Sequence, residues 1–284
     1  MAISISQDGL LYDNLFLLHG DVTPMRYAGH YRSDGPQNLR GILPGNGVVP
    51  DGNMWLSYSV NKEDIWVSRV TVPVLTEASA SINEDLSGYN HLSQLSRWNI
   101  YSPAWAPVSL EEAGQGKMAL KLSDKDRYDY AKVEHLFPES EEFSVEFTIV
   151  PEQNDNGQLQ IELQNEESMG AVRISFDPDG MLRVRSHYKE RHEDIIPYMA
   201  GESYHIKLDV SVRLQEVEIY ANGKNVGENF YAPMKTLSKI VFRTGERFRN
   251  LSPDAPVRQD FDLEHAGTPV ESASYYILNL KSDH

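Results

Sequence analysis

The 284-residue sequence contains no cysteine, which removes disulfides, thiolate nucleophiles and cysteine-ligated zinc together and leaves the compartment open. Positive charge is scarce. Against 42 Asp and Glu stand 26 Lys and Arg, a formal charge of −16. That sign repels phosphate backbones and anionic lipid headgroups, so neither nucleic acid nor a membrane surface is expected as a partner. No apolar run reaches the length of a membrane-crossing helix, and the opening MAISISQDG lacks the basic and apolar regions of an export signal. Helical periodicity is almost missing. So are GxGxxG, Walker, HExxH and GxSxG patterns, which argues against nucleotide-binding, zinc-protease and α/β-hydrolase chemistry.

What is present is alternation of period two. Hydrophobic residues make up 40% of the chain, enough for real cores, and the length fits two domains better than one. The stretch Met54 to Val74 (MWLSYSVNKEDIWVSRVTVPV) reads as a hairpin: two runs of aromatic and β-branched residues flank the polar break Asn61-Lys62-Glu63-Asp64, and Pro73 ends the second strand. The Ser, Ala, Asn and Glu-rich residues that follow, from Thr76 on, read as a linker. Upstream, Leu10 to Leu18 (LLYDNLFLL) is apolar enough for a buried strand, and a short strand is expected near Asn38 to Leu43.

Beyond the linker, ten segments alternate or carry β-branched residues: 117–122, 130–136, 143–150, 158–164, 171–176, 181–187, 204–210, 217–220, 239–243 and 275–280. Asn156-Gly157, Asp179-Gly180 and Asn222-Gly223 supply the positive φ of tight hairpin turns. Strands of this number and spacing predict an antiparallel β-sandwich. Within it the faces separate. Leu159, Ile161 and Leu163 oppose Gln158, Gln160, Glu162 and Gln164, while Leu182, Val184 and Ser186 oppose Arg183, Arg185 and His187. Such a row of amides and charges is either a solvated outer face or a surface for sugar hydroxyls.

Two groups could supply oxygen ligands to a structural calcium, Asp124, Asp126 and Asp129 or Asn154, Asp155 and Asn156, although turn acidity explains both and no other cofactor is expected. A second concentration of polar groups lies between residues 19 and 40, where His19, Asp21, Arg26, His30, Arg32, Asp34 and Arg40 fall mostly in loop.

The stretch GPQNLRGILPGNG with the SYSVNKEDIWVSRV hairpin resembles the closing blade of a sialidase-like, BNR-repeat β-propeller of the kind found in bacterial polysaccharide-degrading enzymes. From about Trp98 onward the chain is similar to concanavalin A-like lectin and glucanase sandwiches, with YYILNL as the final strand. The resemblance implies an all-β fold: a propeller-blade segment over residues 1–75, a linker over 76–95, and a concanavalin A-like jelly-roll sandwich over 96–284. It implies a part of a glycan-degrading enzyme, a sialidase-like glycoside hydrolase or a polysaccharide lyase, or else a non-catalytic lectin-like module. A complete sialidase set of arginine triad, tyrosine, glutamate and aspartate cannot be placed. By resemblance His19 and His30 are candidates for proton transfer, and Arg40 with Arg26 for a carboxylate clamp; Arg32, Asp34 and Asn46 complete the substrate-binding candidates. The expected partner is a glycan, and the expected location periplasmic or secreted. A blade without neighbours leaves edges that recruit other chains, so self-association or missing blades are expected too.

Overall fold

The computed structural model describes residues 1–19, 25–29, 35–42, 52–72, 74, 78, 81–114, 116–185, 192–228, 232–245 and 262–283. The chain divides into two compact units, Met1–Thr76 with Asn250–Thr268, and Glu77–Arg249 with Pro269–His284.

In the first unit β1 (Ala2–Ile5) pairs with β2 (Asp13–Leu17), and β3 (Pro36–Ile42), β4 (Asn53–Val60) and β5 (Asp64–Thr71) form a three-stranded antiparallel sheet in that order. The hairpin expected from Met54 onward is β4–β5. Its turn is one residue shorter than the polar break, because Asp64 pairs with Val60 as strand. Asn61 and Lys62 take φ of +54° and +56°, the left-handed conformation whose twist matches the flanking strands. The Asn61 side chain then accepts a hydrogen bond from the Gly35 amide at 2.8 Å, fixing the entry to β3. These described strands make a two-stranded and a three-stranded sheet, and no closed propeller.

The second unit is a sandwich. Its strands are β6 (Asn83–Asp85), β7 (Trp98–Tyr101), β8 (Val108–Glu112), β9 (Met118–Asp124), β10 (Lys132–Ser140), β11 (Glu142–Pro151), β12 (Leu159–Gln164), β13 (Gly170–Phe176), β14 (Met181–Arg185), β15 (His192–Pro197), β16 (Tyr204–Ser211), β17 (Glu216–Ala221), β18 (Lys224–Gly227), β19 (Leu237–Thr244) and β20 (Ala273–Asp283). One sheet runs β15-β14-β13-β12-β19-β10-β7; the other runs β18-β17-β16-β11-β20-β9-β8, with β6 also pairing β20. Two 3-10 turns, Leu86–Gly88 and Leu92–Gln94, are the helical elements among the described residues.

Inward positions of both sheets close a single core. It runs through Leu120, Leu122, Val145, Phe147, Ile149, Leu159, Ile161, Ile174, Phe242 and Ile277, with Phe147 meeting Phe242 edge-on at 5.1 Å between centroids. Burial of this area is the main favourable term in holding the sheets together. Outward positions of the eight-stranded sheet are polar, as in Ser144, Glu146 and Thr148 on β11 and His205, Lys207 and Asp209 on β16.

Three sequence expectations change. Leu10 to Leu18, expected as a buried strand, is strand only over Asp13–Leu17, and Leu10, Leu11, Leu15 and Leu17 are exposed. The stretch read as a linker carries β6 and both 3-10 turns, and three of its apolar residues, Ile82, Leu86 and Leu95, are buried in the core, with Tyr89 and Leu92 packed partly buried against it. Glu84 on β6 lies 3.5 Å from the buried His135 Nε2, and that histidine first of all holds the Glu84 carboxyl below its ordinary range. Asn156-Gly157 makes no hairpin, since it carries the chain from β11 in one sheet to β12 in the other. Gly157 has φ of +66°, and a Cβ there would stand 2.0 Å from the Cβ of Ala273; close approach, not a tight strand reversal, is why glycine is needed. Asp179-Gly180 and Asn222-Gly223 do turn hairpins, β13–β14 and β17–β18.

Candidate functional site on the polar face of the seven-stranded sheet

The alternation read in β12 and β14 holds, and the register extends it across the sheet. Lys132 pairs with Tyr101 on one side and Arg243 on the other; Arg243 pairs with Gln160, Gln160 with Ser175 and Ser175 with Arg183. Directly opposed residues share a face, so Tyr101, Lys132, Arg243, Gln160, Ser175 and Arg183 form one row crossing six strands. A second row joins Asn99, Glu134, Val241, Glu162 and Arg173.

One end of this face is closed and internally bonded. Arg173 Nε lies 2.8 Å from Glu162 Oε1, and Gln164 donates to Glu162 Oε2 at 2.8 Å. Asp177 accepts from Gln158, from Arg183 Nη1 at 3.0 Å and from Arg185 Nη2 at 3.0 Å. Burial pushes the Asp177 carboxyl up, but the Gln158 amide, the Arg185 charge and Arg183 together outweigh it and hold it below the ordinary range. Arg183 also forks onto Asp179, with both bonds at 2.6 Å, the bidentate geometry that guanidinium and carboxylate share. Gln160, 4% exposed, donates to Gln158 and to the Gly245 carbonyl, while its Oε1 is buried with no hydrogen-bond partner.

The other end lies over β7, β10 and β19. Asn99 is exposed and donates to Glu134 Oε1 at 3.1 Å, and Lys132 Nζ lies 3.5 Å from Glu134 Oε2. The Arg243 guanidinium lies 3.7 Å from the centre of the Tyr130 ring, and the Tyr101 ring stands 5.3 Å behind Tyr130. Stacking holds the guanidinium flat against the ring. Donors, acceptors and ring surface thus converge on a strip that chemically suits hydroxyls and carboxylates.

Of the candidates in the first unit, His19, Arg26 and Arg40 are described. His19 is buried, its Nδ1 3.1 Å from the Tyr58 hydroxyl, which in turn lies 2.7 Å from Ser68 Oγ; its ring meets Trp66 edge-on at 5.3 Å. Burial is the leading cause that raises the Tyr58 phenol. Arg40 pairs with Ser57, one residue along from Tyr58, so it projects from the opposite face of the three-stranded sheet and is exposed. Arg26 is held by Glu63 and Asp64: the Glu63 carboxylate accepts the Arg26 amide at 2.9 Å and the Tyr27 amide at 2.7 Å, and the Arg26 side chain reaches both acids. His30, Arg32, Asp34 and Asn46 lie outside the described residues.

Among the described residues no group of three acidic or histidine side chains is arranged for a metal. Asp124 and Asp126 instead accept backbone amides of Asp126, Tyr128 and Asp129 at 2.8–3.1 Å, and Asp129 accepts from Tyr130 N and the Tyr101 hydroxyl. They fold the β9–β10 connection that carries Tyr130.

Residues 98–259 match the family model described as "Sialidase-like, CBM domain". A solved sialidase is 47% identical with a TM-score of 0.91; the match covers 99% of this chain and 26% of that one, so the chain spans about a quarter of that sialidase's length. The apo Crh5 transglycosylase, 11% identical with a TM-score of 0.52 over 73% of this chain and 85% of its own, shares the fold alone. No curated protein matches. The chain belongs to the sialidase-like carbohydrate-binding-module family.

Proposed function

We propose that the sandwich binds a glycan at the β7–β10–β19 end of its polar face, and that the chain is the accessory part of a longer sialidase-like, glycan-degrading enzyme whose catalytic centre lies elsewhere. The observation that carries the reading is the strip of Asn99, Lys132, Glu134 and Arg243, with Arg243 held flat on Tyr130. Sugar hydroxyls need paired donors and acceptors at fixed spacing, and a strand register supplies that spacing without reorganisation. A glycan carrying a carboxylate gains a charge-assisted bond from Arg243 that a neutral one lacks. The family supports the same reading, as does the name of the related sialidase.

Calorimetric titration with acidic and neutral oligosaccharides tests it. Binding is expected to the intact chain and to fall about tenfold or more in Arg243→Ala, the loss of one charge-assisted bond. Arg40→Ala leaves it unchanged. Absence of binding to either glycan class, or equal loss from both variants, would reject the site. The isolated chain is expected to cleave none of these glycans, and Arg40 is the one described member of the predicted catalytic set left open to a partner.

A further inference from the structure

Residues Asn250–Thr268 lie in sequence between β19 and β20 of the sandwich, yet they belong to the compact unit of Met1–Thr76. The chain therefore passes from one unit to the other three times, at residues 76–77, 249–250 and 268–269. The described part of this insert, residues 262–268, runs against the backbone of Arg26–Ala28. The Leu263 amide donates to the Arg26 carbonyl at 2.8 Å, and the Ala28 amide donates to Asp262 Oδ1 at 2.8 Å. The Glu63 carboxylate takes the Arg26 and Tyr27 amides. The three amides of this loop and its first carbonyl are thus shared between the β4–β5 turn and the insert, and a loop reaches a single conformation when its backbone groups find fixed partners.

The insert is shaped for that contact. The Ala266 amide donates to the Leu263 carbonyl and the Thr268 amide to the His265 carbonyl, both at 3.1 Å, with His265 at φ of +57°, so the segment is two successive turns. Gly267, at φ of +71°, passes so close to Tyr27 that a Cβ would stand 2.5 Å from its hydroxyl; any larger residue must push the ring away. Just beyond, the Val270 amide donates to the Lys125 carbonyl at 2.8 Å, and β20 begins at Ala273 in the interior of its sheet. Little slack separates the two anchors. We propose that residues 262–268 are a strap through which a folded sandwich fixes the Arg26–Ala28 loop, with Asp262 and Gly267 as the residues that hold it. Order in that loop is then conditional on the sandwich. The inference stands whether or not the sandwich binds a glycan.

Amide hydrogen exchange on the full chain tests it. The Ala28 and Leu263 amides are expected to be protected in the wild type. Asp262→Ala should speed exchange at Ala28 about tenfold or more, the loss of one charge-assisted bond, and carry Leu263 with it, while Asp262→Asn, which keeps an acceptor oxygen, stays close to the wild type. Gly267→Val should free the same amides by displacing Tyr27. Leu56 on β4 and Phe147 on β11 keep their protection in all three variants. The dependence on the sandwich is read in Phe242→Ala at a urea concentration that unfolds its sandwich: Ala28 should then exchange like an unfolded amide while Leu56 remains protected. Unprotected Ala28 and Leu263 in the wild type, no effect of Asp262→Ala, or an effect that extends equally to Leu56 would each overturn the inference. So would an Ala28 that stays protected once the sandwich is unfolded, or that loses protection there only together with Leu56.

Discussion

The two units solve the problem of burying a sheet in different ways. The sandwich closes two sheets on a core that runs from Ile82 to Leu280. Among the described residues of the first unit, the buried hydrophobic side chains are Met25, Leu56, Tyr58 and Val60, with Leu15, Leu17 and Ile65 left outside. Similar residue types, alternation and hairpin chemistry thus yield a self-sufficient layer pair in one place and half of one in the other. What differs is the supply of a second sheet, which local pattern does not encode.

Core truncation should separate the units most sharply. Phe242→Ala removes a ring packed against Phe147 and Trp98, and is expected to cost about 3–5 kcal/mol in urea unfolding while leaving the near-ultraviolet signal of the Trp66 cluster intact. Simultaneous loss of both signals would show that the first unit depends on the second. Gly157→Ala comes next. The added methyl meets Ala273 at a backbone that already disfavours a side chain, a loss of roughly 1–3 kcal/mol; unchanged stability would mean that the β11–β12 connection moves freely.

Acid provides a third contrast. The Asp177 and Glu84 carboxyls both sit below their ordinary range, so the stability they contribute is present above the unfolded-state carboxylate value and is lost as pH falls through their lower folded-state values. Asp177→Asn should flatten that acid limb for the sandwich, and a pH profile identical to the wild type would remove Asp177 from the account. The smallest effect is expected in the first unit. Tyr58→Phe deletes the hydroxyl between His19 and Ser68 and should cost about 1 kcal/mol, seen as a local change in the Trp66 environment.

Much of the sandwich was legible in sequence because antiparallel strands with one wet face write their alternation into the chain. All ten expected segments correspond to strands, as does the Met54 hairpin. Strands β6, β7 and β18 escaped because they are short, and β8 (VSLEE) and β15 (HEDIIP), no shorter than β14, because their acidic residues break the apolar alternation. The run from Thr76 looked like linker because Ile82, Leu86 and Leu95 are too widely spaced to make a pattern, although each fills the core. The polar sides of β12 and β14 were visible. The β7–β10–β19 end of that face was not, since Tyr101, Lys132 and Arg243 come from three distant segments and meet only through strand register. The candidates between His19 and Arg40 were gathered by proximity in sequence, and the sheet separates His19 from Arg40 by placing them on opposite faces.

The position of β20 has a consequence for how the protein is made. This last strand of the sandwich lies between β11 and β9, in the interior of its sheet, and also pairs with β6 at the unit's start, where Ile82 and Ser282 exchange backbone and side-chain hydrogen bonds. On the ribosome the eight-stranded sheet therefore has a gap in its middle until β20 emerges, and the strands already synthesised must wait with unsatisfied edges on both sides of it. Pairing across nearly the whole unit makes closure slow. Nascent chains are exposed to chaperones and to misassembly for all of that interval, and stalling translation just before residue 273 should leave the sandwich protease-sensitive even though every other strand has been made.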